Sequence, residues 1–202
     1  MSNEHKTSIQ AIVIGASAGG ISALLQVLKP LPQNYRLPII IVLHLPNDRD
    51  SKLAAVFQHH LAMQVQQARD KEWIKPGVIY IAGSGYHLSV EKNFSFSLSV
   101  EDPESYARPS IDILMQSAAD AYGKALAGVL LTGANHDGAA GLASIKAAGG
   151  LCIVQDPDEA EVPIMPRAAI SSCKPDFVLT LNEIHPLLRN LEQKNLELRN
   201  LE

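Results

Sequence analysis

The segment Ile39-Ile40-Ile41-Val42-Leu43 is apolar at every position, which leaves it no face for water. A strand with one wet side alternates in polarity, so an unbroken β-branched run reads as a strand covered on both sides. Residues 10–14, 128–131 and 151–155 have the same character apart from the terminal Gln10 and Gln155. Between these runs lie stretches of helical spacing. Ile21, Leu24, Leu25 and Leu28 recur before Pro30, Leu53, Ala54, Val56 and Phe57 mark residues 50–61, and Ile111, Ile113, Leu114 and Ala118 lead to about Tyr122. Residues 139–147 form a further helix closed by Gly149-Gly150. Residues 78–82 read as a strand, and 87–90 with 94–100 as a hairpin turned at Glu91-Lys92-Asn93. A short helix over 166–171 and a last strand over 177–180 follow. The fold class is α/β, a doubly wound and mostly parallel sheet with helices on both faces and an antiparallel hairpin.

The 202 residues suit one ordinary domain, assigned here to 1–182. Residues 183–202 form a C-terminal helix or linker whose leucines, interrupted by Asn195, could also begin a coiled coil. With 47% apolar and 19% charged residues the chain is globular rather than disordered. A net charge of -4 and no dense run of Lys or Arg argue against nucleic acid as a partner. No apolar run is long enough to span a membrane, and the polar start lacks a signal-peptide core, so a cytoplasmic protein is expected. Cys152 lies in an apolar strand and Cys173 follows a helix, and both read as packed or idle thiols of a reducing compartment.

In a parallel α/β sheet the residues after the carboxyl ends of strands line the ligand-binding rim, and three reactive side chains fall there. Ser17 stands in Gly15-Ala16-Ser17-Ala18-Gly19-Gly20, between the first strand and the first helix. A hydroxyl in such a turn can attack a carbonyl while the Ala18 N–H receives the oxyanion. The same turn could equally be a helix cap or a phosphate cradle. His44 ends the second strand and is the leading candidate for a general base. His5, His59, His60, His87 and His185 fall in the leader, at helix ends or in the hairpin, and His136 neighbours Asp137. Asp137, in the turn 132–138, can hold an imidazole N–H, or merely cap the next helix. Asp156 also follows a strand, but Pro157 and Asp158 beside it favour a solvated turn. Three such groups after three strands favour a hydrolase triad over three unrelated coincidences.

Six blocks of this sequence together resemble the catalytic domain of the protein-glutamate methylesterase of bacterial chemotaxis. They are Gly15-Ala16-Ser17-Ala18-Gly19-Gly20, Val42-Leu43-His44-Leu45-Pro46, Tyr80-Ile81-Ala82 with His87-Leu88, Arg108-Pro109-Ser110-Ile111-Asp112, Leu131-Thr132-Gly133 with Asp137-Gly138-Ala139, and Met165-Pro166-Arg167-Ala168-Ala169. The resemblance runs in order over about residues 11–181. It implies Ser17 as nucleophile, His44 as base and Asp137 as third triad member, with no metal and no organic cofactor. It also implies methylated chemoreceptor helices as substrate, and glutamine deamidation through the same acyl intermediate. The oxyanion would be held by the N–H groups of Ala18 and Ala134. Ala18 replaces the family's usual Thr, Gly133-Ala134-Asn135-His136-Asp137 replaces Gly-Met-Gly-Asn-Asp, and Gly83-Ser84 replaces Pro-Gly. Asn135 would disturb its turn if that position required positive φ. Arg167 and the loop 162–165 are candidates for substrate contact, although an ordinary helix start would explain them too.

The short, mostly polar start from Met1 to Gln10 cannot supply the family's usual receiver domain. A dinucleotide-binding dehydrogenase is disfavoured, because Ser17 stands where G-x-G-x-x-G needs glycine and His44 where a ribose-binding acid belongs. The alternative from another class is a degenerate, non-catalytic esterase-like module that docks in a sensory assembly through the Leu-rich tail.

Overall fold

The computed structural model describes residues 8–45, 52–101 and 107–199. Pro46, the start of the expected 50–61 helix and Leu201 lie outside them. The described elements are β1 (Ala11–Ala16), α1 (Gly20–Leu28), β2 (Ile39–Leu43), α2 (Leu53–His60), β3 (Gln64–Gln67), β4 (Val78–Ile81), β5 (His87–Val90), β6 (Phe96–Ser99), α3 (Ile111–Tyr122), β7 (Leu126–Leu130), α4 (Ala139–Ala147), β8 (Leu151–Gln155), α5 (Ile164–Cys173), β9 (Phe177–Leu179) and α6 (Leu181–Arg199). Seven strands form one sheet in the order β3-β4-β2-β1-β7-β8-β9, with every pairing parallel. β5 and β6 form a separate antiparallel pair, so the α/β sheet and the hairpin stand as expected.

Burial on both faces explains the unbroken apolar runs. Ile12, Ile14, Ile39 and Ile41 face one core with Leu24 and Leu28 of α1 and Ile184 and Leu188 of α6. The intervening Val13, Ile40 and Val42 face the other core, with Leu114, Met115 and Ala118 of α3 and Leu142 and Ile145 of α4. Leu88, Val90 and Phe96 seat the hairpin in this second core. Period-two alternation therefore persists in direction but not in polarity.

β3 is absent from the sequence reading because Gln64-Val65-Gln66-Gln67 is a polar edge strand in which only Val65 is buried. α5 begins at Ile164, with Pro166 tolerated inside its first turn, where the missing N–H has no helical partner to lose. The polar break at Asn195 also has a use. Asn195 is buried and its side-chain amide donates to the Ile9 carbonyl, while Tyr35 Oη donates to the Leu188 carbonyl at 2.8 Å. Both contacts tie α6 to the body. Among the described residues no helix is long and apolar enough to cross a membrane.

Strand order places the site. From β1 the chain builds outward through β2 in one direction and later through β7 in the other, so the carboxyl ends of β1 and β7 flank a topological switch point.

Candidate active site

Three strand ends meet at this switch point. Ala16 is in register with Leu43, and the His44 N–H donates to the Ala16 carbonyl at 3.0 Å, which sets Ser17 and His44 side by side at the ends of β1 and β2. On the other flank the Ser17 N–H donates to the Thr132 carbonyl at 3.0 Å. Ser17 thus sits between the imidazole strand and the Thr132 turn, partly exposed. Gly19 (φ 77°) and Gly138 (φ 93°) start α1 and α4 in the left-handed region, which other residues enter only with strain.

Asp137 is fully buried and its carboxylate is held by four groups. Oδ1 accepts from Ser110 Oγ at 2.9 Å and from the Asp112 N–H at 2.9 Å. Oδ2 accepts from the Ile111 N–H at 2.7 Å and faces His44 Nε2 at 2.9 Å. Asp137 therefore sits on the N-terminus of α3, where free N–H groups and the helix dipole favour an anion. Burial pushes its carboxyl up, but His44 and the Asp112 and Ile111 N–H groups outweigh this and hold it below the ordinary carboxylate range. Asp137 is an anion at neutral pH. Its alternative role as cap of the following helix falls to Gly138 instead.

With Nε2 turned to Asp137, the other ring nitrogen is left to take a proton. His44 Nδ1 lies 3.4 Å from Asn135 Nδ2. The Asp137 N–H donates to Asn135 Oδ1 at 3.2 Å, which fixes the amide with its NH₂ end toward the ring. Both contacts fit the tautomer that carries its hydrogen on Nε2, with Nδ1 as the acceptor. Among the described residues only Lys71, Phe94 and Lys174 are non-glycine residues with positive φ, so Asn135 fits its turn without strain.

The loops carrying Ala18 and Ala134 are cross-tied. Thr132 Oγ1 donates to the Ala18 carbonyl at 2.9 Å and accepts from the Val162 N–H at 2.9 Å. The Thr132 N–H donates to Gln155 Oε1 at 2.8 Å. The Gly133 N–H donates to the Val162 carbonyl and the Met165 N–H to the Gly133 carbonyl, both at 3.0 Å. Among the described residues no acceptor takes the N–H of Ala18 or of Ala134. Arg167 is exposed near the start of α5, two residues beyond Met165, whose side chain lies against Gly133.

The rivals stand apart. His136 is exposed, and Asp156 Oδ1 accepts the Asp158 N–H at 3.0 Å in a surface turn. His87 is buried, and its Nδ1 accepts the Ser110 N–H at 3.2 Å. The sequence reading missed the cradle of Ser110, Ile111 and Asp112, the ties of Thr132 and Gln155, and the amide of Asn135. Ser110 before an apolar helical pattern was a visible capping signal, but nothing in the sequence names the carboxylate it serves. Among the described residues no group of three or more His, Cys, Asp or Glu could hold a metal ion.

Comparison with known proteins gives the family. The family model described as CheB methylesterase matches residues 12–188. A relative in Leptospira interrogans is 45% identical over 190 residues, covering 94% of this chain and 98% of its own length. The protein-glutamate methylesterase/protein-glutamine glutaminase of Clostridium acetobutylicum is 34% identical over 177 residues, 88% of this chain, which spans about half (51%) of that protein. The crystal structure of the Thermotoga maritima CheB methylesterase catalytic domain superposes with a TM-score of 0.86 at 32% identity, covering 92% of this chain and all of that one. Matched along nearly all of its folded length, the chain belongs to the CheB methylesterase family.

Proposed function

We propose that this chain is a protein-glutamate methylesterase in which Ser17, His44 and Asp137 act as a catalytic triad. The observation that carries the reading is the buried Asp137 anion 2.9 Å from His44 Nε2, with the His44 N–H bonded to the carbonyl of Ala16, the residue before Ser17. His44 Nδ1 takes the Ser17 proton as Oγ attacks the ester carbonyl of a methylated glutamyl side chain. The Ala18 and Ala134 N–H groups receive the developing oxyanion, a role that needs only main chain and therefore tolerates both alanines. The proton passes from His44 to the departing methanol. Water then attacks the acyl-enzyme with His44 again as base, and the glutamate carboxylate leaves. A glutaminyl substrate would lose ammonia by the same route.

The substrate class is the methylated cytoplasmic helices of a chemoreceptor, which would place the enzyme in the cytoplasm. Arg167, exposed beside the Gly133 turn, is the proposed substrate-side cation. An assembly contact through α6 would have to use the side of that helix away from the buried Ile184 and Leu188. Family membership favours this reading over a degenerate module. Methanol release from methylated receptor membranes tests it: wild type should release methanol and Ser17→Ala should not. Undiminished release by Ser17→Ala would reject the nucleophile, and none from wild type would return the non-catalytic reading.

A further inference from the structure

Glu161 stands exposed in the loop between β8 and α5, and the fold lays its side chain along the turn that carries Ser17. A Cβ built on Gly19 would stand 2.8 Å from Glu161 Oε2, 2.9 Å from its Cβ and 3.0 Å from its Cδ. Position 19 therefore needs glycine twice over, for the left-handed φ of 77° and for the room the glutamate takes. The following residue anchors the loop. The Val162 N–H donates to Thr132 Oγ1, which donates to the Ala18 carbonyl, and the Val162 carbonyl accepts the Gly133 N–H. The carboxylate is thus tethered, one residue away, to both of the loops that flank Ser17.

The fold makes no other use of this charge. Among the described residues the Glu161 side chain accepts no hydrogen bond and joins no ion pair, with Arg167 or with any other group. Helix α1, which starts from Gly19, has no acidic residue in its first turn and no side-chain cap, so the negative charge beside the nucleophile turn is that of Glu161.

We propose that Glu161 is a specificity-determining residue that discriminates against carboxylates at the Ser17 site, so that the glutamate product leaves and does not return. The role rests on the methylesterase reading above. Hydrolysis consumes a neutral ester and leaves a carboxylate in its place, the proton passing to solvent. A fixed anion on the nucleophile turn is nearly indifferent to the ester and repels the acid, which is selection by a repulsive element. The same charge opposes the oxyanion that the Ala18 N–H receives, so the discrimination costs some of the rate of the chemical step. Removing the charge therefore has two effects of opposite benefit, tighter product inhibition and a chemical step that is no slower.

The test compares wild type with Glu161→Gln, which keeps the side chain's shape. Methanol release from a methylated receptor cytoplasmic fragment is followed with the unmethylated fragment added as product, and single turnovers are measured beside it. In Glu161→Gln the product inhibition constant should fall roughly three- to tenfold at low salt, the range for like charges meeting at a wet surface. KM should fall less than the inhibition constant does, and the single turnover should match or exceed that of wild type. By about 0.5 M salt the difference in inhibition should shrink toward nothing. Equal product inhibition in the two proteins at low salt overturns the proposal. So does a slower single turnover in Glu161→Gln, the mark of a glutamate that only supports its loop or complements the α1 terminus. No methanol from wild type would remove the methylesterase reading and this role with it, whereas methanol release with unaltered inhibition removes the role alone.

Discussion

Asp137→Asn keeps the side chain's shape and removes its charge, and the cradle around it sets the cost. The carboxylate serves Ser110 Oγ and the Asp112 N–H through one oxygen, and the Ile111 N–H and His44 Nε2 through the other. An amide keeps an oxygen on only one of these sides. With that oxygen toward Ser110 and Asp112, its NH₂ opposes the Ile111 N–H, leaving a buried donor unsatisfied at about 1–3 kcal/mol. The two remaining hydrogen bonds lose their charge assistance, roughly 1 kcal/mol each. Relief of the carboxylate's own burial offsets part of this, so we expect a net loss of about 2–4 kcal/mol. The catalytic effect follows from the same NH₂ group. It donates to His44 Nε2, drives the ring proton to Nδ1, and removes the lone pair that must take the Ser17 proton. The wrong tautomer should lower kcat by about 10³–10⁴. Urea unfolding and single-turnover methanol release measure the two effects separately. Ser110→Ala is the control: it removes one neutral donor, should cost about 1 kcal/mol and should leave most of the rate. Wild-type stability in Asp137→Asn, together with a rate within about tenfold of wild type, would refute the reasoning for both cradle and tautomer.

Three further outcomes follow from the same geometry. Thr132→Val removes the hydroxyl that ties Ala18 to Val162, so kcat should fall about tenfold with KM little changed, read by steady-state methanol release. In Gly15→Ala the new Cβ would stand 2.3 Å from Ile111 Cγ2 and 2.8 Å from Leu130 Cδ1. Overpacking there should cost about 1–3 kcal/mol in urea unfolding, and the shift of Ile111 should weaken its N–H bond to Asp137. The third concerns acid. Because the fold depresses the Asp137 pKa, the unfolded chain binds that proton first, so the stabilisation is whole above about pH 4 and drains as the pH falls below it. Unfolding curves of wild type and Asp137→Asn should therefore draw together toward low pH, and a gap that stays constant would contradict a depressed carboxyl.

Legibility in the sequence tracked how local the cause was. Residues 39–43 and 151–155 announced themselves because burial on both faces erases polar positions within the segment itself. β3 did not, since an edge strand buries one residue and exposes the rest, and no short-range pattern separates Gln64-Val65-Gln66-Gln67 from a loop. Ser17, His44 and Asp137 could be placed at the rim from strand ends alone. Their supports could not. Asp137 depends on a helix start 26 residues earlier, and Asn135 depends on which way a backbone N–H turns its amide. Cys152 falls in the strand expected of it, whereas Cys173 closes α5 rather than following it, because the helix runs on past Ser171.

The substitutions around the site then divide by what each position supplies. Ala18 and Ala134 would contribute main-chain N–H groups, and the side chains that hold their loops, Thr132 and Gln155, lie on β7's exit and at the end of β8 rather than at the substituted positions. Exchange there alters what lines the rim without loosening the loops. Asn135 belongs to a second group, in which a new side chain finds partners already present, the Asp137 N–H and the His44 ring, and so adds contacts without demanding a new backbone. Asp137 belongs to neither. It is the point where the catalytic imidazole and the N-terminus of α3 share one buried charge, so any replacement must answer to both at once, and no neutral side chain presents two acceptor oxygens to do so. This double demand, rather than proximity to the reaction alone, makes the carboxylate the least replaceable group of the site.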